Sequence, residues 1–411
     1  MDVFSQKTLR LAEESEQSLA EEFRHVEHVS QVNTERILRL FEKHRLSERH
    51  FNGSCGYGYN DDGRDLCDLL FAESMGRPSG FARISLLSGT HALTVALQGL
   101  LRPGDVMLSV TGKPYDTLDS VIGIAPCPGS LAEFGITYEQ IDLIRSEEAD
   151  LAALEARLSR GGVRVVYAQR SKGYDARRTL TVSELNRIYE VTQKHPNVFF
   201  VVDNCYGEFV ETEEPKADLL VGSLIKNPGG GMAESGGYIV GTEEAVRLAS
   251  YRLSVPGMGL EVGASFQSTK SLIKGLFYAP HTVCQALKTM HFAAALFERA
   301  GCVCSPSAHE IRSDIIQVIE CGSRENMLRF CKGIQNGSPV DSNVTPEGWA
   351  MPGYHDEIVM AAGAFVQGSS IELSADGPLR PPFRVYLQGG LTYESGKYGI
   401  MRAFESMFQN Q

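Results

Sequence analysis

Short apolar segments recur through the middle of this chain with helical patterns between them, and that alternation limits the fold more tightly than any other feature. The segments fall at residues 106–110, 163–168, 198–203, 219–224 and 238–241. Each carries several apolar residues in a row, as strands covered on both faces do. Between the second and third, Thr181-Val182-Ser183-Glu184 has the Thr-x-x-Glu form that opens a helix. Residues 83–105 read as a short strand, a tight turn at Ser88-Gly89-Thr90, and a helix whose Leu93, Leu97, Leu100 and Leu101 share one face before Pro103-Gly104 stops it. Strands alternating with helices predict an α/β fold with a mainly parallel central sheet and helices on both of its faces.

A chain of 411 residues exceeds the roughly 250 to 300 at which one core stops growing, which predicts two domains. Residues 1–50 are polar and Glu-rich, with Val26, Val29, Ile37, Leu38 and Phe41 at helical spacing, and predict an N-terminal helical arm. Residues 51–275 are the expected large domain, opening on a glycine- and aspartate-rich loop at 51–65. Beyond residue 275 a long helical stretch (283–300) gives way to shorter segments and Gly/Pro-rich turns, so 276–411 are expected to form a smaller α+β domain. The formal charge of −12 leaves no general basic face for nucleic acid or an anionic membrane, so any bound phosphate needs a local site. The nine cysteines lack zinc-ligand spacing and read as free thiols in a reducing cytosol, with no metal site expected. The opening residues have no signal pattern and no apolar run approaches the ~20 residues of a membrane span, so a soluble cytoplasmic protein is expected.

Three features fall in order along the expected sheet. The turn SGTHAL (88–93) passes from a strand through Gly89 into a helix, where backbone amides and the helix dipole can hold a phosphate dianion. Ordinary turn chemistry also accounts for small residues there. The strand VFFVVDN ends in Asp203, a carboxylate that can pair with a pyridine nitrogen, or simply cap a turn. The segment LLVGSLIKNPGGG (219–231) sets Lys226 just beyond an apolar strand, with Ser223 three residues earlier able to donate to the same phosphate. A buried lysine loses basicity and becomes a competent amine for joining a carbonyl, whereas a lysine at a loop mouth is only solvated. Lys226 follows Asp203 by 23 residues, and the order of all three features points to pyridoxal 5′-phosphate.

These turns, together with YGYNDDGRD (57–65), GKPYDTLDSVIG (112–123), QRSKGYDARRTLT (169–181), IKNPGGGMAESGGYIVG (225–241), GLFYAPHTV (275–283), MPGYHDEIVMAAG (351–363) and SIELSADGPLRPPF (370–383), resemble the methionine γ-lyase-like family also known as aluminium-resistance proteins. The resemblance covers nearly everything after residue 50. It implies a pyridoxal-phosphate-dependent transferase fold of type I, like that of aspartate aminotransferase, with active sites shared between two subunits of a homodimer or homotetramer. It implies Lys226 as the Schiff-base lysine, Asp203 against the ring nitrogen, and Ser88, Gly89, Thr90 and Ser223 around the phosphate. Tyr115 would stack on the ring. Tyr57 and Tyr59 would reach the neighbouring subunit's phosphate, with Arg64 in support because no arginine follows either tyrosine at the spacing related lyases use.

An amino-acid substrate needs its α-carboxylate clamped, a task that suits the planar fork of arginine. Arg380, in the turn DGPLRPP, is the preferred candidate, and Arg384 aligns with the carboxylate-binding arginine of cystathionine lyases. Departures from the family pattern fall around Arg83 and at Lys270, Lys274 and Ala364, and bear on the substrate rather than the cofactor. His91, His281 and His355 are expected in structural roles, and Asp116 and Glu208 as solvated or network carboxylates. The expected activity is γ-elimination on a γ-substituted L-amino acid by a carbon–sulfur or carbon–halide lyase. A β-lyase, an aminotransferase and a non-catalytic cofactor-binding protein are the alternatives.

Overall fold

The structure, a computed structural model, describes residues 3–143, 150–175, 177–350 and 356–408. They fall into two compact units, one made of residues 35–224 and 232–277, the other of residues up to Thr34, 225–231 and 278 onward.

In the first unit, seven strands among the described residues form one sheet: β1 (Ser79–Arg83), β2 (Val106–Ser109), β3 (Thr137–Gln140), β4 (Val163–Gln169), β5 (Phe199–Asp203), β6 (Leu219–Ser223) and β7 (Gly237–Gly241). Their order is β1-β7-β6-β5-β4-β2-β3. β2 to β6 run parallel, whereas β7 pairs antiparallel with both β6 and β1. The carboxyl ends of β4, β5 and β6 therefore share one edge, where ligands of open parallel sheets bind. Phe200, Val201 and Val202 of β5 are wholly buried, as are Leu219, Leu220 and Val221 of β6. That double-sided burial is why these segments read as unbroken apolar runs.

The first strand departs from expectation. It ends at Arg83 instead of running through 84–87, because Leu86 donates its N–H back to Arg83 and closes a turn. Leu86 is buried in the core while Leu87 stands 76% exposed, so the apolar residues at 84–87 serve a turn into the helix Gly89–Leu100. Leu93, Leu97, Leu100 and Leu101 of that helix and its end are buried as their spacing predicts. The helix Val182–Thr192 opens on the expected reciprocal bonds between Thr181 and Glu184.

The second unit holds β8 (Cys304–Ser305), β9 (Ile316–Glu320), β10 (Trp349–Ala350), β11 (Glu357–Ala361), β12 (Ser374–Pro378) and β13 (Arg384–Gln388), an antiparallel sheet ordered β10-β11-β12-β13-β9-β8. Its core stacks Phe297 against Phe330 and Phe404, with ring centroids 5.2 and 5.4 Å apart. The helix Gln6–Gln17 joins this unit through Thr8, whose hydroxyl donates to Glu405 at 2.5 Å. In the helix Ala20–Lys43 that follows, Val26, Val29 and Ile37 are buried, but Leu38 is 48% exposed. Among the described residues no helix is long and apolar enough to cross a membrane.

Candidate active site

Asp203 closes β5 with its side chain buried. Its Oδ1 accepts the N–H of Cys205 at 3.1 Å, and the Tyr167 hydroxyl lies 3.4 Å from Oδ2. Burial, and then the negative charge of Asp203, hold the Tyr167 phenol well above its ordinary pKa, so it stays protonated and donates. Arg170, the residue after β4, is wholly buried and gathers the chain beyond Asp203. It donates to Asn204 Oδ1 at 3.0 Å, to the Gly207 carbonyl at 2.9 Å and to Glu211 at 2.8 Å. Tyr206 and Phe209 in that segment have φ of 72° and 61°, a left-handed conformation that non-glycine residues keep only when surroundings impose it.

The turn at Ser88-Gly89-Thr90 packs against the neighbouring strand end. Ser88 caps the helix by accepting the His91 N–H at 3.1 Å. A Cβ on Gly89 would stand a tight 3.2 Å from Ser223 Cβ and in contact, at 3.5 Å, with Cys205 Sγ, so a side chain there would crowd the approach. Thr90 shares a hydrogen bond of 2.9 Å with Thr117, two residues past Tyr115. Tyr115 donates its N–H to Gln169 Oε1 at 2.7 Å, and its ring meets Tyr174 edge-on at 6.0 Å. Within this unit the structure thus links Ser88, Gly89, Thr90, Ser223, Asp203 and Tyr115 through direct neighbours. Sequence reasoning missed Cys205, Gln169, Tyr167 and Arg170; the position of Gln169 and Arg170 at a strand end was the available signal.

Tyr57 and Tyr59 are 74% and 56% exposed, their rings 5.8 Å apart. The loop that carries them is stitched to residues 263–268. Ser54 and Ser265 exchange backbone and hydroxyl bonds, both hydroxyls donate to Asp61, and Gly263 donates to the Tyr57 carbonyl. Burial works to raise the Asp61 pKa, but the bonds from Ser265, Ser54 and the Arg64 N–H outweigh it and leave the carboxyl below its ordinary value. Arg64 differs from expectation. It is buried in its own chain, donating to the carbonyls of Gly58 and Gly263 at 2.5 and 2.9 Å, and so braces this loop instead of projecting from it.

In the second unit, Lys226 Nζ donates to Ser370 Oγ at 3.3 Å, and the glycine turn after it passes through Gly230 at φ 55°. Arg380 pairs with Asp356 at 2.7 Å, its side chain 58% exposed. Arg384 lies opposite Glu320 in the sheet and reaches its carboxylate through Nε and Nη2 at 2.9 and 2.7 Å. His91 accepts the Leu87 N–H at 3.1 Å, a structural bond, and Asp116 pairs with Lys113 at 2.8 Å. Glu208 is wholly buried and accepts from the Tyr238 hydroxyl at 2.8 Å. His281 is exposed, and His355 lies outside the described residues.

Several known proteins share this architecture. The pyridoxal-5′-phosphate-dependent protein YhfS of Escherichia coli superposes with a TM-score of 0.61 at 14% identity, covering 93% of this chain and 97% of its own. The fold is therefore that of type I pyridoxal-phosphate enzymes, an α/β architecture with a mainly parallel sheet and a C-terminal domain. A sequence profile of the methionine gamma-lyase family matches residues 8–408, and the chain belongs to that family. The Bacillus subtilis (strain 168) protein YnbB is 45% identical over 98% of this chain and 97% of its own. A carbon-sulfur lyase involved in aluminium resistance from Clostridium novyi NT has a TM-score of 0.94 at 44% identity, covering 98% and 96% of the two chains.

The residues present fit the family's cofactor. Gly89, lacking a side chain beside Ser223, leaves backbone amides at a helix start and a hydroxyl of the kind a phosphate requires. Asp203 offers a buried, oriented carboxylate of the kind a pyridine N–H requires.

Proposed function

We propose that this protein is a pyridoxal-5′-phosphate-dependent carbon–sulfur lyase that performs γ-elimination on a γ-substituted L-amino acid. The observation that carries the reading is the meeting of two strand ends with a helix-opening turn, Asp203 fixed by the Cys205 N–H and Gly89 packed on Ser223, with Lys226 three residues further along the chain from Ser223. Chain length alone keeps the Cα of Lys226 within roughly 11 Å of that of Ser223. When bound, the cofactor supplies an electron-withdrawing ring that stabilises negative charge beside the substrate's amino group. Asp203 would keep the ring nitrogen protonated, and Ser88, Gly89, Thr90 and Ser223 would hold the phosphate. Tyr115 would lie against the ring, while Tyr57 and Tyr59 would complete the phosphate site of a second subunit. The Lys226 amine would take the proton from Cα, give it up, and then take one from Cβ, and the electron pair left at Cβ would expel the γ group from Cγ. Arg380 clamps the α-carboxylate, because its exposed pair with Asp356 is worth little and yields readily to a substrate. The family membership and the description of the Clostridium novyi relative support the carbon–sulfur chemistry.

Incubating the loaded enzyme with thioether amino acids, without a keto-acid acceptor, tests the reading. Release of a thiol with 2-oxobutanoate is expected. Pyruvate from β-substituted substrates alone would mean β-elimination. Dependence on an added keto acid would mean transamination, and an unchanged cofactor spectrum with every amino acid would mean a binding protein.

A further inference from the structure

Gln169 occupies a position the proposed chemistry has not used. It closes β4 in direct register with Asp203 on β5, so the two side chains leave adjacent parallel strands on the same face, about 5 Å apart along the sheet. Gln169 is buried, and its amide is oriented without ambiguity. Nε2 lies 2.9 Å from the Ser171 carbonyl, which can only accept, and Oε1 lies 2.7 Å from the Tyr115 N–H, which can only donate. Its own backbone is anchored at both ends, the N–H donating to Thr111 Oγ1 at 3.1 Å and the carbonyl accepting from Arg177 at 2.9 Å.

The amide therefore joins a rigid strand end to the start of the Tyr115 segment. The far side of that segment is held at the phosphate turn by the bond between Thr117 and Thr90. The ring has a confined seat: a Cβ on Gly173, whose φ is +56°, would stand 3.1 Å from the ring's Cδ2 and 3.3 Å from Gln169 Nε2. Without Gln169 the Tyr115 N–H loses this anchor, while its carbonyl still accepts the Leu118 N–H at 2.8 Å.

We infer that Gln169 is a positioning residue that sets the Tyr115 ring relative to Asp203, and thereby its stacking on bound pyridoxal 5′-phosphate. The inference rests on the reading that the chain binds this cofactor. Gln169→Met keeps the side chain's length while removing donor and acceptor. In the holoenzyme it is expected to retain the cofactor's visible absorbance, to lose most of its visible circular dichroism, and to lower kcat/KM about tenfold, the worth of one hydrogen bond. In a Tyr115→Ala background the same substitution should change neither signal further, because its effect passes through Tyr115. Should the Met variant fail to fold, Gln169→Asn, one methylene too short to reach, carries the same expectations. Wild-type dichroism and activity in the single variant, or an equal loss in the Tyr115→Ala background, would overturn the inference. A wild-type protein with no visible absorbance after reconstitution would overturn the cofactor reading itself, before any variant is made.

Discussion

Asp203 owes its orientation to the Cys205 N–H, a backbone donor that survives substitution of the carboxylate. Asp203→Asn is therefore expected to keep the cofactor while losing several orders of magnitude in kcat, since an amide cannot hold the ring nitrogen protonated. Activity within tenfold of wild type, measured by thiol release, would assign that role to another group. Glu208 gives a second prediction at this scale. Burial dominates its environment and, against hydrogen bonds from its own backbone N–H and Tyr238, pushes its pKa from 4.5 up to about 8. The folded chain keeps a proton that the unfolded chain releases across that window. The contribution to stability is thus full below the unfolded pKa and shrinks as pH rises toward 8, by about 1.4 kcal/mol per unit. Glu208→Gln should remove this slope, which denaturant midpoints between about pH 5 and pH 8 would reveal; a variant with the wild-type slope contradicts the assignment. Asp203 and Lys226 stand out in the sequence because the first ends an unbroken apolar strand and the second follows one by three residues. Cys205, Tyr167 and Gln169 do not, since their roles depend on which strands become neighbours, and the sequence carries no direct record of register.

The loop bearing Tyr57 and Tyr59 is ordered by polar bonds instead of a core, with Asp61 accepting from both Ser54 and Ser265. Ser265→Ala removes one of these donors and its reciprocal bond with the Ser54 N–H, and is expected to cost about 1–3 kcal/mol of local stability. Amide exchange of residues 54–61 should then accelerate while that of β5 and β6 stays at wild-type rates; unchanged exchange in the loop would show that the clasp does not hold it. Element identity was readable wherever burial imposed a period, as in the helix Gly89–Leu100 and the capped helix Val182–Thr192. It failed at β1, where Ile84, Leu86 and Leu87 mimic a strand but the Leu86 N–H closes a turn on Arg83. The pairing of β1 with β7, which places Arg83 opposite Gly237, is a long-range choice that no local pattern announces.

For the molecule as a whole, the proposal of an active unit of at least two copies, each completing the other's phosphate site through the exposed Tyr57 and Tyr59, has a direct test. Mixing a Tyr57→Phe variant with a Lys226→Ala variant should restore partial activity through hybrid sites. No recovery despite subunit exchange demonstrated by mass would count against sharing. The two compact units are discontinuous in sequence, since residues up to Thr34 and the short Lys226 segment cluster with the C-terminal part of the chain. Such discontinuous membership follows from packing and leaves no mark in local composition. The central claim, that this fold works through a cofactor joined to Lys226, is tested most directly by borohydride reduction of the reconstituted protein followed by peptide mass mapping. A pyridoxyl-phosphate adduct on Lys226 alone is the predicted result; an adduct on another lysine, or none in a protein that binds the cofactor, would contradict it.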